Sequence, residues 1–412
     1  MVGGGIFAVL GEAVSLGHGG TPVAFALGGL VAALTAYGYA RLSVAYPDRG
    51  GTITFIDVAF GRNLLSGSAN VMLWLSYLVT IALYAVAFAA YAATFFPTAP
   101  GPLLHHALVS AAIVVPAALN VVSASAVSRA ETVVVVLKLA ILGVVVAAGA
   151  TEFVPARVAP STWGDPLSLL TAGMVIFVAY EGFELIANAA EDVRDPARTL
   201  PRAFAVSVGF VTALYVVVAA ITVSAVPEDR IAEAKDYALA VAAEPSLGRT
   251  GFVLVACAAM LATISAINAT IYGNARLGFI LARFGELPRL EGRQRHDVPV
   301  DGVLSVAAGG LLLANLVPLG SIAVIGSASF LLVFALTNAA AVRTAPEIGA
   351  RPVVVRSALV ATVAALGALL WHAATSTPSA LVVFVGFVAA SAAFEYVYGH
   401  RVRGHFLGRR YR

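Results

Sequence analysis

The chain has 412 residues, of which 60% are hydrophobic and 11% charged, roughly half the charged share of a soluble domain, so it is predicted to be an integral membrane protein. A net charge of +3 with arginines scattered over short segments offers no basic face for nucleic acid. Apolar runs of about 20 residues without two-residue alternation exclude an outer-membrane barrel, and the lone Cys257 is expected to be a small buried hydrophobe without a disulfide.

In chain order, the first apolar stretch, Gly3 to Leu16, is Gly-rich and too short to cross, and is expected to be the second half of a span in which the sequence begins. The start MVGGGIF has no basic region of a cleavable signal peptide. Eleven full spans are predicted at 22–46, 66–96, 105–123, 129–150, 168–190, 201–226, 250–282, 301–317, 321–342, 353–374 and 379–398. Pro227 to Arg249 is the longest predicted external loop, and no linker divides the chain, so residues 1–412 are expected to be one domain. Placing the N-terminal side of the broken span in the cytoplasm leaves only Arg157, Arg230, Lys235 and Arg249 outside, with Lys138 inside a span and the other basic residues in or beside cytoplasmic segments. The positive-inside rule then predicts twelve spans with both termini cytoplasmic, in a plasma or inner membrane.

Two spans are interrupted by glycine and polar residues: Gly3-Gly4-Gly5-Ile6-Phe7, and Tyr180-Glu181-Gly182-Phe183-Glu184. Unwound backbone survives in lipid only where it is buried or lines a cavity, and one break in each half of a transporter points to a site near the midplane. A half-helix starting after Gly5 offers free N–H groups to a carboxylate, and one ending near Tyr180 offers carbonyls to an ammonium. An α-amino acid carries both groups. Glycines at close helix contacts are the competing explanation, and the pairing of the breaks weighs against it.

Between the breaks, Lys138 lies about ten residues into the run around VVVVLKLAI, where an ammonium is costly and a lowered pKa lets it exchange a proton near neutrality. Phe177 and Tyr180 are candidates for an aromatic lid, although such rings more often pack. Glu181 is expected either to face substrate or to satisfy open backbone, and Thr263, Ser265 and Asn268 to line the site from a later span. Glu191, Arg194, Asp195 and Arg198 form either a gate network or a solvated loop whose Pro201 opens the next helix.

Several motifs together carry a family resemblance. Gly4-Gly5-Ile6-Phe7, the stretch Tyr39 to Pro47 followed by Gly50-Gly51-Thr52, Phe177 to Glu184 with Glu191 to Pro196 and Leu200 to Ala203, and Asn268 to Pro288 resemble, respectively, helix 1, the end of helix 2, helix 6 with its exit, and helix 8 of the amino acid, polyamine and organocation (APC) transporter superfamily. The resemblance implies an all-α leucine-transporter-type fold of two inverted five-helix repeats, here 1–150 and 166–343, plus two helices at 353–398. It also implies that the first half of helix 1, which helps close the inward pathway, is missing from the sequence. Lys138 matches the helix 5 lysine of proton-coupled members, where sodium-coupled relatives bind sodium.

The expected substrate-binding set is therefore Gly3, Gly4, Gly5, Ile6, Phe177, Tyr180, Glu181 and Gly182, with Lys138 for proton coupling and no metal or cofactor. The expected activity is proton-driven import of an amino acid by alternating access, with amino acid/amine exchange or sodium coupling as the alternative. Small neutral amino acids are the default substrate, and Glu181 leaves cationic ones open. No Walker-type motif exists for ATP-driven transport, no filter loop for a channel, and the seven histidines lie near span ends or loops, which argues against an enzyme.

Overall fold

The computed structural model describes residues 1–97, 101–122, 124–288 and 299–399. The side chain of Arg129 and the residues Arg289, Arg293, Arg295, His296, His400, Arg401, Arg403, His405, Arg409, Arg410 and Arg412 of the sequence argument lie outside that description. The fold is all-α, with no strand among the described residues. Its helices are α1 (Gly5–Gly17), α2 (Thr21–Ala45), α3 (Thr52–Phe60), α4 (Leu64–Ala93), α5 (Pro102–Val122), α6 (Ala124–Gly149) and α7 (Pro166–Val175). After them come α8 (Pro196–Ala225), α9 (Glu228–Glu233), α10 (Ala238–Arg283), α11 (Val300–Leu316), α12 (Leu319–Arg343), α13 (Pro352–Ser376) and α14 (Pro378–Tyr398).

Among the described residues, ten helical segments are long and apolar enough to cross a membrane. The span predicted at 301–317 is the shorter α11, of 17 residues, about 25 Å long at the α-helical rise. Local chemistry sets the ends. Asn63 caps α4 by accepting the N–H groups of Leu65 and Ser66, while the Ser66 hydroxyl accepts the Asn63 N–H. Asp165 caps α7 through the N–H groups of Leu167 and Ser168. The Ser168 hydroxyl and these amides hold its carboxyl below the ordinary aspartate range. Prolines open α7, α8, α13 and α14.

Three expectations are corrected. Pro196, not Pro201, opens α8, and Pro201 sits inside its first turns. The predicted loop from 227 to 249 is largely helical, containing α9 and the start of α10, which bends at Gly248 with φ 63°. These pieces are too short to register as spans, and they fold because Ile231 and Leu239 are buried against the bundle. Cys257 is exposed on α10, because an apolar membrane helix turns one face to lipid and needs no protein cover there.

The segments nearest the centre are α4, Pro166–Asp192 and α12, and those most open to lipid are α5, α6, α13 and α14. Exposed Val133, Val136 and Leu137 on α6 and Val360 and Val363 on α13 form such lipid faces. The second interrupted segment therefore lies inside the most enclosed part of the bundle, and α1 is buried along most of its length.

Candidate substrate site

The helical bonding of α1 begins with the Ala8 N–H donated to the Gly4 carbonyl at 3.0 Å, and the Gly4 cap makes no side-chain bond. The first amides thus point out of the helix with the positive end of its dipole. On the other segment, α7 tightens into a 3-10 turn over Ile176–Tyr180, leaves it at Glu181, and reverses at Gly182 with φ 108°, a conformation that only glycine adopts without strain. The chain then continues as a 3-10 helix over Glu184–Asp192.

Neighbouring helices pin this break. The Ser327 hydroxyl of α12 donates to the Val175 carbonyl (2.7 Å) and accepts the Val178 N–H (2.9 Å). Tyr180 Oη donates to the Phe25 carbonyl of α2 at 2.6 Å. The Glu184 carboxylate accepts the Gly182 N–H at 2.8 Å and the Tyr77 hydroxyl at 3.0 Å. Open backbone inside the bilayer is thereby satisfied by fixed partners.

The two breaks touch. A Cβ built on Gly5 would lie 2.7 Å from Ala179 Cα, and one on Gly4 would lie 2.8 Å from both Thr263 Cγ2 and Tyr84 Cδ1. Beside this crossing is a cavity of about 380 Å³, whose walls include Gly3, Glu181, Gly182, Tyr84 of α4, Lys138 of α6, Phe210 of α8 and Ser265 of α10. A larger cavity, about 590 Å³ between α4, α12 and α14, is walled by Met72, Leu332, Leu336 and Val388. Its lining is almost wholly apolar and offers little to orient a polar solute.

Five of the residues singled out in the sequence share the smaller cavity: Gly3, Lys138, Glu181, Gly182 and Ser265. Gly4, Gly5 and Ile6 are buried and do not line it. Phe177 and Tyr180 are fully buried and do not line it; Phe177 packs on Phe334, 6.0 Å between ring centres, and Tyr180 on Tyr215 at 5.5 Å. Thr263 returns its hydroxyl to the Ala259 and Met260 carbonyls. Asn268 accepts the Asn120 amide at 2.7 Å, tying α10 to α5.

Sequence reasoning missed the part played by α4. Tyr77, Tyr84 and Tyr91, seven residues apart on one face, donate to Glu184 (3.0 Å), Glu181 (3.4 Å) and the Phe7 carbonyl (3.2 Å), so one stripe of hydroxyls serves both breaks. The spacing is visible in the sequence. At the exit of the second break, Glu191 of the anticipated acidic and basic cluster pairs with Arg49, whose guanidinium lies 3.2 Å from it and 3.1 Å from Asp192.

A family model described as amino acid permease matches residues 1–398. The chain belongs to that family. The permease is 35% identical over 359 residues to the uncharacterized protein MJ0609 of Methanocaldococcus jannaschii, covering 86% of this chain and 82% of that one. It is 35% identical over 364 residues to the inner membrane transport protein YbaT of Escherichia coli, covering 87% and 84%. With the branched-chain amino acid permease BcaP of Bacillus subtilis it shares 22% identity over 360 residues, covering 83% and 77%. The permease is accordingly a multi-pass membrane transporter and not an enzyme.

Proposed function

We propose that the permease imports an amino acid by proton symport, with alternating access around the two breaks. The observation that carries this reading is the contact of Gly5 with Ala179 beside a cavity holding Gly3, Glu181, Gly182 and Lys138. The amides at the start of α1 receive the substrate carboxylate, and the carbonyls ending the 3-10 turn at Tyr180 receive the α-ammonium. Lys138, buried in the same wall, carries the coupling proton. The name of BcaP, a branched-chain amino acid permease, supports an amino acid as cargo.

The proposed frame is two inverted repeats, 1–150 and 166–343, followed by α13 and α14, with both termini in the cytoplasm. Arg49, Arg62, Arg194, Arg198 and Arg343 gather at the end of the bundle that carries α3, which the positive-inside rule makes cytoplasmic.

The test is uptake of a labelled amino-acid mixture into sodium-free proteoliposomes with and without an inward proton gradient. Gradient-driven accumulation is expected, and its loss in Lys138→Ala with exchange of preloaded substrate retained. Accumulation that ignores the gradient, or a Lys138→Ala variant that still responds to it, would overturn proton coupling through this lysine.

A further inference from the structure

The larger cavity, about 590 Å³, lies apart from the substrate site, walled by Leu64, Leu65 and Met72 of α4, Leu332 and Leu336 of α12 and Val388 of α14. The polar groups among its walls are spent inside the protein. The Asn63 amide donates to the Phe60 carbonyl at 2.9 Å, the Ser391 hydroxyl donates to the Phe387 carbonyl at 2.8 Å, and the Ser68 oxygen is closed off within the wall. Whatever enters is therefore apolar along most of its length.

Medium and depth narrow the occupant. The chain is a multi-pass membrane protein, so lipid is the apolar molecule that surrounds it. Leu64 and Leu65, at the rim, are 39% and 47% exposed. From Leu64, the first residue of α4, to Met72 the wall extends about 12 Å along the helix, close to the roughly 15 Å of hydrocarbon in one leaflet. Val388, ten residues before the end of α14 at Tyr398, reaches a similar depth. The cavity thus runs from the α3 end of the bundle toward the midplane, the path of one acyl chain.

Its mouth is cationic. Leu336 and Arg343 are seven residues apart, two turns along one face of α12, so Arg343 stands over the cavity at the membrane surface. Its guanidinium lies 5.8 Å from the centre of the Phe60 ring, whose residue is the one bonded to Asn63 at the rim. Arg343 is exposed and makes no ion pair among the described residues. By contrast, Arg62 is engaged by Asp57 at 3.2 Å, and the buried Glu395 carboxyl rests on Gly67 inside the contact of α14 with α4. The positive end of the α4 dipole opens at the same rim.

We infer that this cavity holds one acyl chain of an anionic phospholipid from the leaflet at the α3 end, with the lipid phosphate at Arg343. A chain moved from bilayer into an apolar cavity gains packing but no hydrophobic transfer energy, so the headgroup charge sets the selectivity. The inference needs the membrane-embedded fold and is independent of proton coupling.

The experiment is native mass spectrometry of the full chain in detergent, titrated with phosphatidylglycerol or with phosphatidylcholine of the same acyl chains. One phosphatidylglycerol per chain is expected to be retained, with about fivefold tighter binding than phosphatidylcholine, as one arginine at the surface provides. Arg343→Gln is expected to equalise the two lipids, and Ala392→Phe, which puts a ring into the cavity, to weaken both at least tenfold. Glycerol phosphate in hundredfold excess should leave the lipid bound; displacement would mean a free-phosphate site and overturn the inference. Equal affinity for the two lipids in the wild type overturns it without any variant. Undiminished retention in Ala392→Phe, at an unchanged unfolding temperature, overturns it by placing the lipid elsewhere. A dimer that Ala392→Phe dissociates overturns it by giving the groove to a second copy of the chain. A chain that retains the lipid but transports no amino acid removes the transport reading and leaves this one standing.

Discussion

The end of the bundle that carries α3 and the end that carries α9 are held together by different kinds of contact. At the α3 end, the buried carboxylates of Asp57 and Glu286 meet the Asn70 amide at 3.5 and 2.9 Å. Arg62 Nε lies 3.2 Å from Asp57, with its guanidinium 4.3 Å from the centre of the Phe284 ring. Burial still pushes the Asp57 carboxyl above its ordinary 3.8, against the opposing effect of Arg62. At the α9 end, His18 pairs with Glu228 and Lys235 with Glu12, all partly open to water, while Gly11 of α1 lies against the Lys235 carbonyl. Separating the α9 end returns charges to water at little cost, whereas separating the α3 end strands a dry carboxylate. The α9 end is therefore the easier of the two to open.

The sharpest way to break this comparison is Arg62→Ala, expected to cost about 3–5 kcal/mol by leaving Asp57 buried without its cation. Thermal unfolding in detergent measures it, and Asp57→Asn in the same background should recover most of the loss. An unchanged melting temperature in the single variant would place both ends in the same class. Next is Gly11→Ala, whose Cβ would fall 2.0 Å from the Lys235 carbonyl oxygen. Forcing the α9 segment away is expected to cost about 1–3 kcal/mol, seen as faster tryptic cleavage at Arg230 and Lys235.

A pH series sharpens the contrast further. A carboxyl whose pKa is raised by folding binds its proton more tightly in the native state, so its contribution to stability is complete below 3.8 and is lost as pH rises through the raised value. Asp57→Asn should flatten that fall, and a slope that survives the substitution would assign it to another group. The smallest effect is expected from Glu12→Gln, which removes the partner of Lys235. About 0.2–1 kcal/mol should be lost at low ionic strength and less in concentrated salt; a salt-independent loss would mean that the pair is more enclosed than its exposure indicates.

Membrane thickness made most of the fold legible in the sequence. The predicted spans 321–342, 353–374 and 379–398 lie within two residues of the ends of α12, α13 and α14. What escaped were α3 and α9, helices of 9 and 6 residues that rest on the bundle without crossing the membrane. At the site, Lys138, Glu181 and the glycines were readable because charge and missing side chains are conspicuous in an apolar run. The directions of Phe177 and Tyr180 were not, because α7 tightens to a 3-10 turn at Ile176. That change from about 3.6 to 3.0 residues per turn rotates each later side chain away from its α-helical position. The Asn120–Asn268 bond was equally hidden, since it joins residues 148 apart and depends on which helices become neighbours. The tyrosine stripe on α4 was visible as spacing but concealed by the apolar residues on every side of it.

The crossing of Gly5 with Ala179 also has a mechanical meaning. Where side chains separate two helices, a small displacement is absorbed by rotamer changes and travels no further. Here backbone rests on backbone, with no such cushion between α1 and the 3-10 turn. One residue beyond that contact, Tyr180 holds the Phe25 carbonyl of α2 at 2.6 Å. A push delivered to α1 at the cavity is thus handed on, through one contact and one hydrogen bond, to a third helix that does not line the cavity.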